Sequence, residues 1–274
     1  MNLKDMTLGF IGGGAMAEAI LGGVVNSNLL SPDSIVVSDP NSSRLSYLVD
    51  TWEIKGVSSN EKVAAEANII ILAVKPPYVK SVLQEIKEEL REGQLIISIA
   101  AGVSLEVMEE VTSLKKAIAV RVMPNTPCLI GQGASAISLG ELASEAHGFL
   151  VEEIFKAVGI AVVVPETLMD CVTGLSGSGP AYVYIMLEAM IDGAVKMGLP
   201  RDIATKLDAQ TMVGGAQMVL ETAEQPMKLK DQVTTPGGTT IEGIFALENG
   251  NIRATLMKAV EAATNKSKEM AKKQ

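Results

Sequence analysis

The fold of this 274-residue chain is decided by Leu8-Gly9-Phe10-Ile11-Gly12-Gly13-Gly14-Ala15-Met16-Ala17. An apolar strand runs into Gly12-x-Gly14-x-x-Ala17, where a helical pattern begins. The glycines leave backbone N–H groups open, so a pyrophosphate can lie at the helix N-terminus, while Ala17 allows close packing of helix on sheet. A second strand ending at Ser38-Asp39 supplies the context that the motif needs. The pattern predicts a dinucleotide site rather than a merely tight turn.

Outward from this motif, short apolar runs alternate with amphipathic segments, which is typical of a doubly wound parallel α/β sheet. The predicted strands are Thr7–Ile11, Ile35–Val37, Ile69–Val74, Leu95–Ile99, Ala117–Val122, Ala134–Ser138 and Ala161–Val164. The predicted helices between them are Ala15–Asn26, Ser43–Thr51, Pro77–Leu90, Leu105–Val111 and Ala143–Ala157. The sequence predicts a Rossmann-type domain over residues 1–165.

After Pro165 the strand patterns stop, and residues 166–274 are predicted to form an all-α domain. Its expected helices are Glu166–Leu175, Pro180–Met197, Arg201–Thr222 and one from Thr239 to the C-terminus. Gly177-Ser178-Gly179, Gly198-Leu199-Pro200 and a Thr-Pro-Gly-Gly turn are expected to separate them.

Composition excludes several functional classes. The net charge of −9 and an aromatic content of 3% argue against a nucleic-acid partner, which needs clustered basic residues. The apolar segment 181–198 carries Glu188, Asp192 and Lys196, so no membrane span is expected. Cys128 and Cys171 lie far apart without metal-ligand spacing, which indicates reduced packing residues and no metal site. With a strand directly after the first residues and no room for a signal peptide, we expect a cytoplasmic protein.

A second motif is Asp231-Gln232-Val233-Thr234-Thr235-Pro236-Gly237-Gly238-Thr239-Thr240-Ile241-Glu242-Gly243. Gly237 and Gly238 remove side chains, so that backbone N–H groups can approach a ligand. Thr239 and Glu242 fit a capping box that opens a helix toward the turn. The local pattern leaves two alternatives open, an anion cradle and a simple capped helix.

This motif, with Gly177-Ser178-Gly179-Pro180-Ala181-Tyr182 upstream, resembles the signature of pyrroline-5-carboxylate reductase, the last enzyme of proline synthesis. The resemblance covers nearly the whole chain. It implies reduction of the small cyclic imine 1-pyrroline-5-carboxylate to L-proline by hydride from NAD(P)H. It also implies a helical half that binds substrate and forms dimers, with higher assemblies such as decamers in many members.

The resemblance assigns roles to single residues. Thr240 would hydrogen-bond the ring nitrogen, while Gly237, the backbone of Gly238 and Thr239, and Thr235 would hold the substrate carboxylate. Asn125 is expected to bind substrate, since it lies in Met123-Pro124-Asn125-Thr126-Pro127, which matches the family's segment near the nicotinamide. Lys75 is the basic candidate near the nicotinamide, either as a catalytic residue or as a structural lysine at a strand end.

The predicted cofactor-binding residues follow the ends of several strands. They are Ile11, Gly12, Gly13, Gly14, Ala15, Met16, Ser38, Asp39, Asn60, Ala73, Val74, Lys75, Pro76, Ala100, Ala101 and Gly102. Asp39 favours NADH because a carboxylate at this place binds ribose hydroxyls and repels the phosphate of NADPH. Ser38, Asn41, Ser42 and Arg44 could instead hold that phosphate, and the family often uses NADPH. Both cofactors therefore stay open.

A β-hydroxyacid dehydrogenase is the main competing enzyme class. Its glycine motif at the start of the helical domain ends in a lysine, and Val183 stands at that position here. Ketone reduction needs a positioned proton donor, and we expect His147 to be a surface or packing residue. A cyclic imine needs no strong acid because its protonated C=N is already positive. A related imine reductase, or an NAD(P)-binding regulator without turnover, remains the alternative.

Overall fold

The computed structural model of the chain describes residues 3–271. The strands are β1 (Leu8–Ile11), β2 (Ile35–Ser38), β3 (Lys55–Gly56), β4 (Ile69–Leu72), β5 (Leu95–Ser98), β6 (Ile118–Met123), β7 (Gly133–Leu139) and β8 (Gly159–Val163). The α-helices are α1 (Ala15–Asn26), α2 (Ser42–Trp52), α3 (Asn60–Glu66), α4 (Val79–Ile86), α5 (Leu105–Thr112), α6 (Glu145–Lys156), α7 (Met169–Val172), α8 (Gly179–Lys196), α9 (Arg201–Thr222), α10 (Pro226–Gln232), α11 (Thr239–Asn249) and α12 (Ile252–Ala271).

The strands form one sheet in the order β3-β2-β1-β4-β5-β6-β7-β8. The first six run parallel, as predicted. β7 is antiparallel to β6, and β8 is parallel to β7, so the last two strands are reversed, a detail that the predicted parallel sheet did not include. The reason is the connection from Met123 to Gly133, which contains only a 3₁₀ turn and is too short for a parallel crossover.

Helices cover both faces of the sheet, and alternate residues of its strands enter two separate cores. Leu8 and Phe10 of β1 belong to the core that includes α1 and α6, whereas Ile11 belongs to the core that includes α3, α4 and α5. This three-layer arrangement buries the strands on both sides, which explains their continuous apolar runs. Because β1, β2, β4 and β5 run parallel, their carboxyl ends lie side by side at the same end of the sheet.

Several predicted elements differ from the structure. The expected break at Gly177–Gly179 is wrong, because a π-helical segment (Thr173–Gly177) leads almost directly into α8. The single helix expected after Thr239 is divided by Gly250 and by Asn251, whose φ is 56°. The helix expected over Pro77–Leu90 is shorter, and β3, α3 and α10 were not predicted.

The described chain divides into two compact units. The first contains the residues up to Ser178 and those from Glu261 onward. Side-chain contacts hold segment 166–178 in this unit: Arg121 pairs with Glu166 at 3.1 Å, and Ser267 donates to Asp170 at 2.6 Å. A domain boundary at Pro165 stays a prediction.

The second unit, Gly179–Val260, is helical. α8 packs against α9, and the Tyr182 hydroxyl donates to the carbonyl oxygen of Ala259 at 3.3 Å. Within this segment, which is described throughout, only Ala204 is buried. Across residues 3–271, no helix has both the length and the apolar character needed to cross a bilayer.

Candidate active site

The glycine-rich loop after β1 has the geometry of an anion site. Gly12 has a φ of 94°, and a Cβ there would lie 2.8 Å from the carbonyl oxygen of Ala73. Gly14 is the N-cap residue of α1, and no described side chain caps this helix. A Cβ on Gly14 would meet no atom within 4 Å. The first N–H groups of α1, at the positive end of the helix dipole, are therefore available to a phosphate.

The peptide of Gly13 is held from both sides. Its N–H donates to Asp39 Oδ2 at 2.7 Å, and its carbonyl oxygen accepts from Arg44 Nε at 2.5 Å. The other carboxylate oxygen of Asp39 accepts from the Asn41 N–H at 2.8 Å. Asp39 and Arg44, considered above only as cofactor ligands, thus fix the middle glycine of the loop.

Arg44 is itself held by α1. Its Nη2 pairs with Glu18 Oε2 at 2.5 Å, and its guanidinium lies 5.1 Å from the centre of the Tyr47 ring. Burial raises the pKa of Glu18, but the hydrogen bond and charge of Arg44, with hydrogen bonds from Tyr47 and Trp52, outweigh this effect. The resulting pKa lies below its ordinary value, so Glu18 and Arg44 form an ion pair at neutral pH.

A cleft of about 510 Å³, here called the Asp39 cleft, lies beside the loop. It brings together the predicted cofactor residues Ile11, Gly12, Ser38, Asp39, Asn60 and Val74. Ser38 Oγ donates to Asn60 Oδ1 at 2.8 Å, and Asn60 Nδ2 donates to Glu85 Oε2 at 2.9 Å. This chain of hydrogen bonds fixes the orientation of the Asn60 amide.

Sequence reasoning missed part of this cleft. Its further lining residues include Ser58, Ser59, Tyr78, Ser81 and Glu85. The first two precede α3, a helix that was not predicted, although the run Ser-Ser-Asn-Glu is a helix-start signal. The others come from the turn and helix after β4, where only the strand end was considered.

A second cleft of about 310 Å³, here called the Lys75 cleft, shares Val74 with the first. It collects the other predicted residues Gly14, Ala15, Met16, Ala73, Lys75, Pro76, Ala100 and Ala101, together with Ala17, Ile99, Met123 and Pro124. Gly13 and Gly102 line neither cleft, and Gly102 is buried in a turn with a φ of 79°. Lys75 is exposed, and its ammonium makes no hydrogen bond or ion pair within residues 3–271.

These features fit an extended dinucleotide. The Asp39 cleft offers a carboxylate at the end of β2 for the adenosine ribose, and the uncapped start of α1 offers N–H groups for the pyrophosphate. The Lys75 cleft, which the start of α1 also lines, can take the nicotinamide end.

Asn125 is buried beside this region. Its Nδ2 donates to the carbonyl oxygen of Ser176 at 3.0 Å, and its Oδ1 accepts from the Ala134 N–H at 2.9 Å. The amide therefore links the loop after β6 to β7 and to the π-helical segment. A direct contact with substrate stays a prediction.

The Thr-Pro-Gly-Gly-Thr-Thr turn lies in the helical unit. The Gly238 N–H donates to the Thr235 carbonyl oxygen at 3.1 Å, and Gly237 has a φ of 66°, which places glycine where a type II turn requires it. The N-cap of α11 is Gly238, and no described side chain caps this helix. The predicted capping box of Thr239 and Glu242 is therefore wrong, because the helix begins one residue too early for Thr239 to cap it.

The turn nevertheless presents several polar groups. Thr235, Thr239 and Thr240 are exposed, and the first N–H groups of α11 have no side-chain cap. The Gly238 N–H, which the resemblance assigns to the substrate carboxylate, is already engaged within the turn. The N–H groups of Thr239 and Thr240 are left to bind an anion.

The remaining candidates lie elsewhere. His147 accepts from the Ser144 N–H at 2.9 Å at the start of α6 and borders a small cavity beside Asn68 and Leu95, at the amino ends of β4 and β5. Burial lowers the pKa of His147, which fits a neutral capping residue. Cys128 is buried, which raises the pKa of its thiol, whereas Cys171 is exposed, so its prediction as a packing residue is wrong.

Two family models match separate parts of the chain. Residues 166–270 match the family model described as pyrroline-5-carboxylate reductase dimerisation. Residues 7–102 match the family model described as coenzyme F420-dependent NADP oxidoreductase. A nucleotide-binding α/β domain is thus followed by a helical dimerisation domain.

Full-length relatives extend the match. A pyrroline-5-carboxylate reductase of Methanosarcina acetivorans is 45% identical over 99% of this chain and 100% of its own length. A solved structure of the enzyme from Coxiella burnetii has a TM-score of 0.92 at 36% identity and covers 97% of this chain and 98% of its own. A Plasmodium falciparum pyrroline carboxylate reductase with NADP bound has a TM-score of 0.85 at 36% identity, covering 98% and 99% of the two chains.

Proposed function

This chain belongs to the pyrroline-5-carboxylate reductase family, and we propose that it reduces 1-pyrroline-5-carboxylate to L-proline with NADH or NADPH. A hydride adds to the imine carbon, the C=N double bond becomes a single bond, and the ring nitrogen keeps the proton that made the imine electrophilic. The observation that carries the proposal is the pairing, in one chain, of an open dinucleotide loop with an uncapped Thr-Pro-Gly-Gly-Thr-Thr turn.

The bound nicotinamide supplies the hydride, and the protein supplies binding and orientation. The Thr240 hydroxyl oxygen accepts a hydrogen bond from the protonated ring nitrogen. The N–H of Thr239 and the hydroxyl of Thr235 hold the substrate carboxylate, while Gly237 and Gly238 keep side chains away from the substrate. No acid is needed, because the protonated imine carries its own positive charge.

Lys75 is the proposed basic residue on the nicotinamide side, since its ammonium is exposed in the Lys75 cleft. We propose that Asn125 contributes to substrate binding indirectly, because the nitrogen and the oxygen of its side-chain amide both form hydrogen bonds with backbone groups. Residues 1–165 form the proposed nucleotide domain, and 166–274 form the domain that binds substrate and dimerises.

The chain forms a homo-oligomer, as the dimerisation family and the sparse burial of the helical unit indicate. We propose that dimers are the building block and assemble further into decamers. A cytoplasmic location is part of the proposal.

The test is oxidation of NADH and of NADPH by the purified protein with 1-pyrroline-5-carboxylate, followed by absorbance. We expect rapid oxidation with the imine and little reaction with simple 2-keto acids, because Val183 stands where the β-hydroxyacid dehydrogenase motif has its lysine. Binding of both cofactors without turnover of any cyclic imine would instead indicate a regulatory protein. Robust oxidation of a 3-hydroxy acid would contradict the imine-specific mechanism.

A further inference from the structure

We infer that this chain binds NADH more tightly than NADPH, and that Asp39 and the Glu18–Arg44 ion pair together set this preference. The inference rests on the proposed function in one respect only, namely that the Asp39 cleft receives the adenosine ribose of the cofactor. NADPH differs from NADH by one phosphate on that ribose, so the groups around Asp39 decide between them.

Asp39 is placed to accept hydroxyl groups and to repel a phosphate. Each of its carboxylate oxygens takes one backbone N–H, from Gly13 at 2.7 Å and from Asn41 at 2.8 Å. A carboxylate has about four acceptor positions, so two remain for the ribose hydroxyls. The two backbone hydrogen bonds prevent the carboxylate from turning away when a phosphate approaches. A bound phosphate would therefore face a fixed like charge.

Several donors that could hold this phosphate are already in use. The Asn41 N–H donates to Asp39, and the Arg44 N–H donates to Asn41 Oδ1 at 3.2 Å, where Asn41 caps α2. The Arg44 guanidinium donates to Gly13 and to Glu18, both on the α1 side. A phosphate that bound Arg44 through Nε or Nη2 would break its hydrogen bond to Gly13 or its ion pair with Glu18.

The rest of the cleft adds negative charge. Among the described residues that line it, the charged side chains are those of Asp39 and Glu85. Lys62 reaches the edge of the cleft by donating to Ser58 Oγ at 3.1 Å. Lys62 is exposed, and solvent weakens its attraction for a phosphate. Two carboxylates and one solvated cation favour the cofactor without the extra phosphate.

The experiment measures dissociation constants for NADH and NADPH by nicotinamide fluorescence, without any imine, so that its outcome does not depend on turnover. We expect NADH to bind the wild-type protein about tenfold more tightly, which corresponds to about 1.4 kcal/mol. Asp39→Asn should weaken NADH binding and reduce the difference in affinity between NADH and NADPH. Glu18→Gln should free Arg44 Nη2 to contact the phosphate and so strengthen NADPH binding, with little effect on NADH because Arg44 Nε keeps its hydrogen bond to Gly13.

Glu152→Gln is the matched control, because Glu152 is also ion-paired, to Lys156 at 2.6 Å on α6, and does not line the Asp39 cleft. It should leave the ratio unchanged. Equal affinities, or tighter binding of NADPH to the wild type, would overturn the inference. If Glu18→Gln leaves the ratio of the NADPH and NADH dissociation constants unchanged, the Glu18–Arg44 ion pair does not contribute to the preference. This conclusion holds even if Asp39→Asn is too unstable to study. If NADH binds preferentially but no imine is reduced, the proposed function fails while the inference stands.

Discussion

At the scale of single residues, the two threonines that begin α11 have separable roles. Thr239 is the first helical residue and caps nothing, so Thr239→Ala should change the free energy of unfolding by less than about 0.5 kcal/mol. Thr240→Ala removes the proposed partner of the ring nitrogen and should lower kcat/KM about tenfold, or about 1.4 kcal/mol. Thr240→Ser, which keeps the hydroxyl, should retain most activity. Steady-state kinetics and melting temperatures check all three, and wild-type kcat/KM in Thr240→Ala would make the turn structural only.

A second residue-scale prediction concerns pH. The pKa of folded Glu18 lies below its ordinary 4.5 because the interactions with Arg44, Tyr47 and Trp52 outweigh the opposing effect of burial. A lowered pKa contributes stability that is complete above about pH 4.5 and disappears as the pH falls through the folded value. Glu18→Gln should therefore be less stable than wild type at neutral pH, and the difference should shrink in acid. Urea unfolding across this range measures it, and a difference independent of pH would contradict the assignment.

At the scale of elements, the loop between β1 and α1 contains glycines with different purposes. Gly12→Ala places a Cβ 2.8 Å from a backbone carbonyl oxygen at a φ of 94°, which should cost about 1–3 kcal/mol of stability. Gly14 has a φ of −63° and open space around it. Gly14→Ala should therefore keep the melting temperature.

The added methyl group of Gly14→Ala would lie where the pyrophosphate is proposed to bind. It should weaken NADH and NADPH alike, by about tenfold, because the pyrophosphate is common to both. Fluorescence titration of both cofactors checks this. Unchanged affinity for both would mean that the start of α1 does not hold the cofactor.

For the whole molecule, the helical unit leaves nearly all of its side chains exposed or partly exposed. Large apolar side chains are exposed there, among them Ile185 at 67% and Phe245 at 65%. A second copy of the chain must cover such a surface. Ile185→Glu should therefore reduce the mass of the assembly in light scattering. Leu114→Glu is the control, because Leu114 is 79% exposed in the other unit and its substitution should leave the mass unchanged.

Two other results of the light-scattering experiment would contradict this assignment of the interface. If Ile185→Glu retains the wild-type mass at low protein concentration, this face of α8 is not part of the interface. If Leu114→Glu dissociates the assembly as well, the loss reflects general destabilisation. Cofactor titration of both variants separates these cases, since the two clefts lie in the first unit.

The sequence by itself determined the features that depend on short-range chemistry. The glycine motif predicted that α1 begins at Ala15, and the local sequence predicted that α9 ends at Thr222. The family resemblance predicted the reaction. Steric limits on backbone angles and hydrogen bonds within one helical turn act over about four residues, so they are readable from neighbours in the chain. The break at Gly250-Asn251 was equally readable and was overlooked.

Only the tertiary structure decided what long-range contacts control. It reversed β7 and β8, and it joined Gly13 to Asp39 and Arg44 to Glu18, pairs separated by 26 residues each. Asp39 was identifiable as a cofactor residue, but its two backbone donors were not, and neither was the ion pair that removes Arg44 from the cleft. These contacts depend on how the sheet places distant segments side by side, because hydrogen bonds and ion pairs require distances that no local pattern specifies.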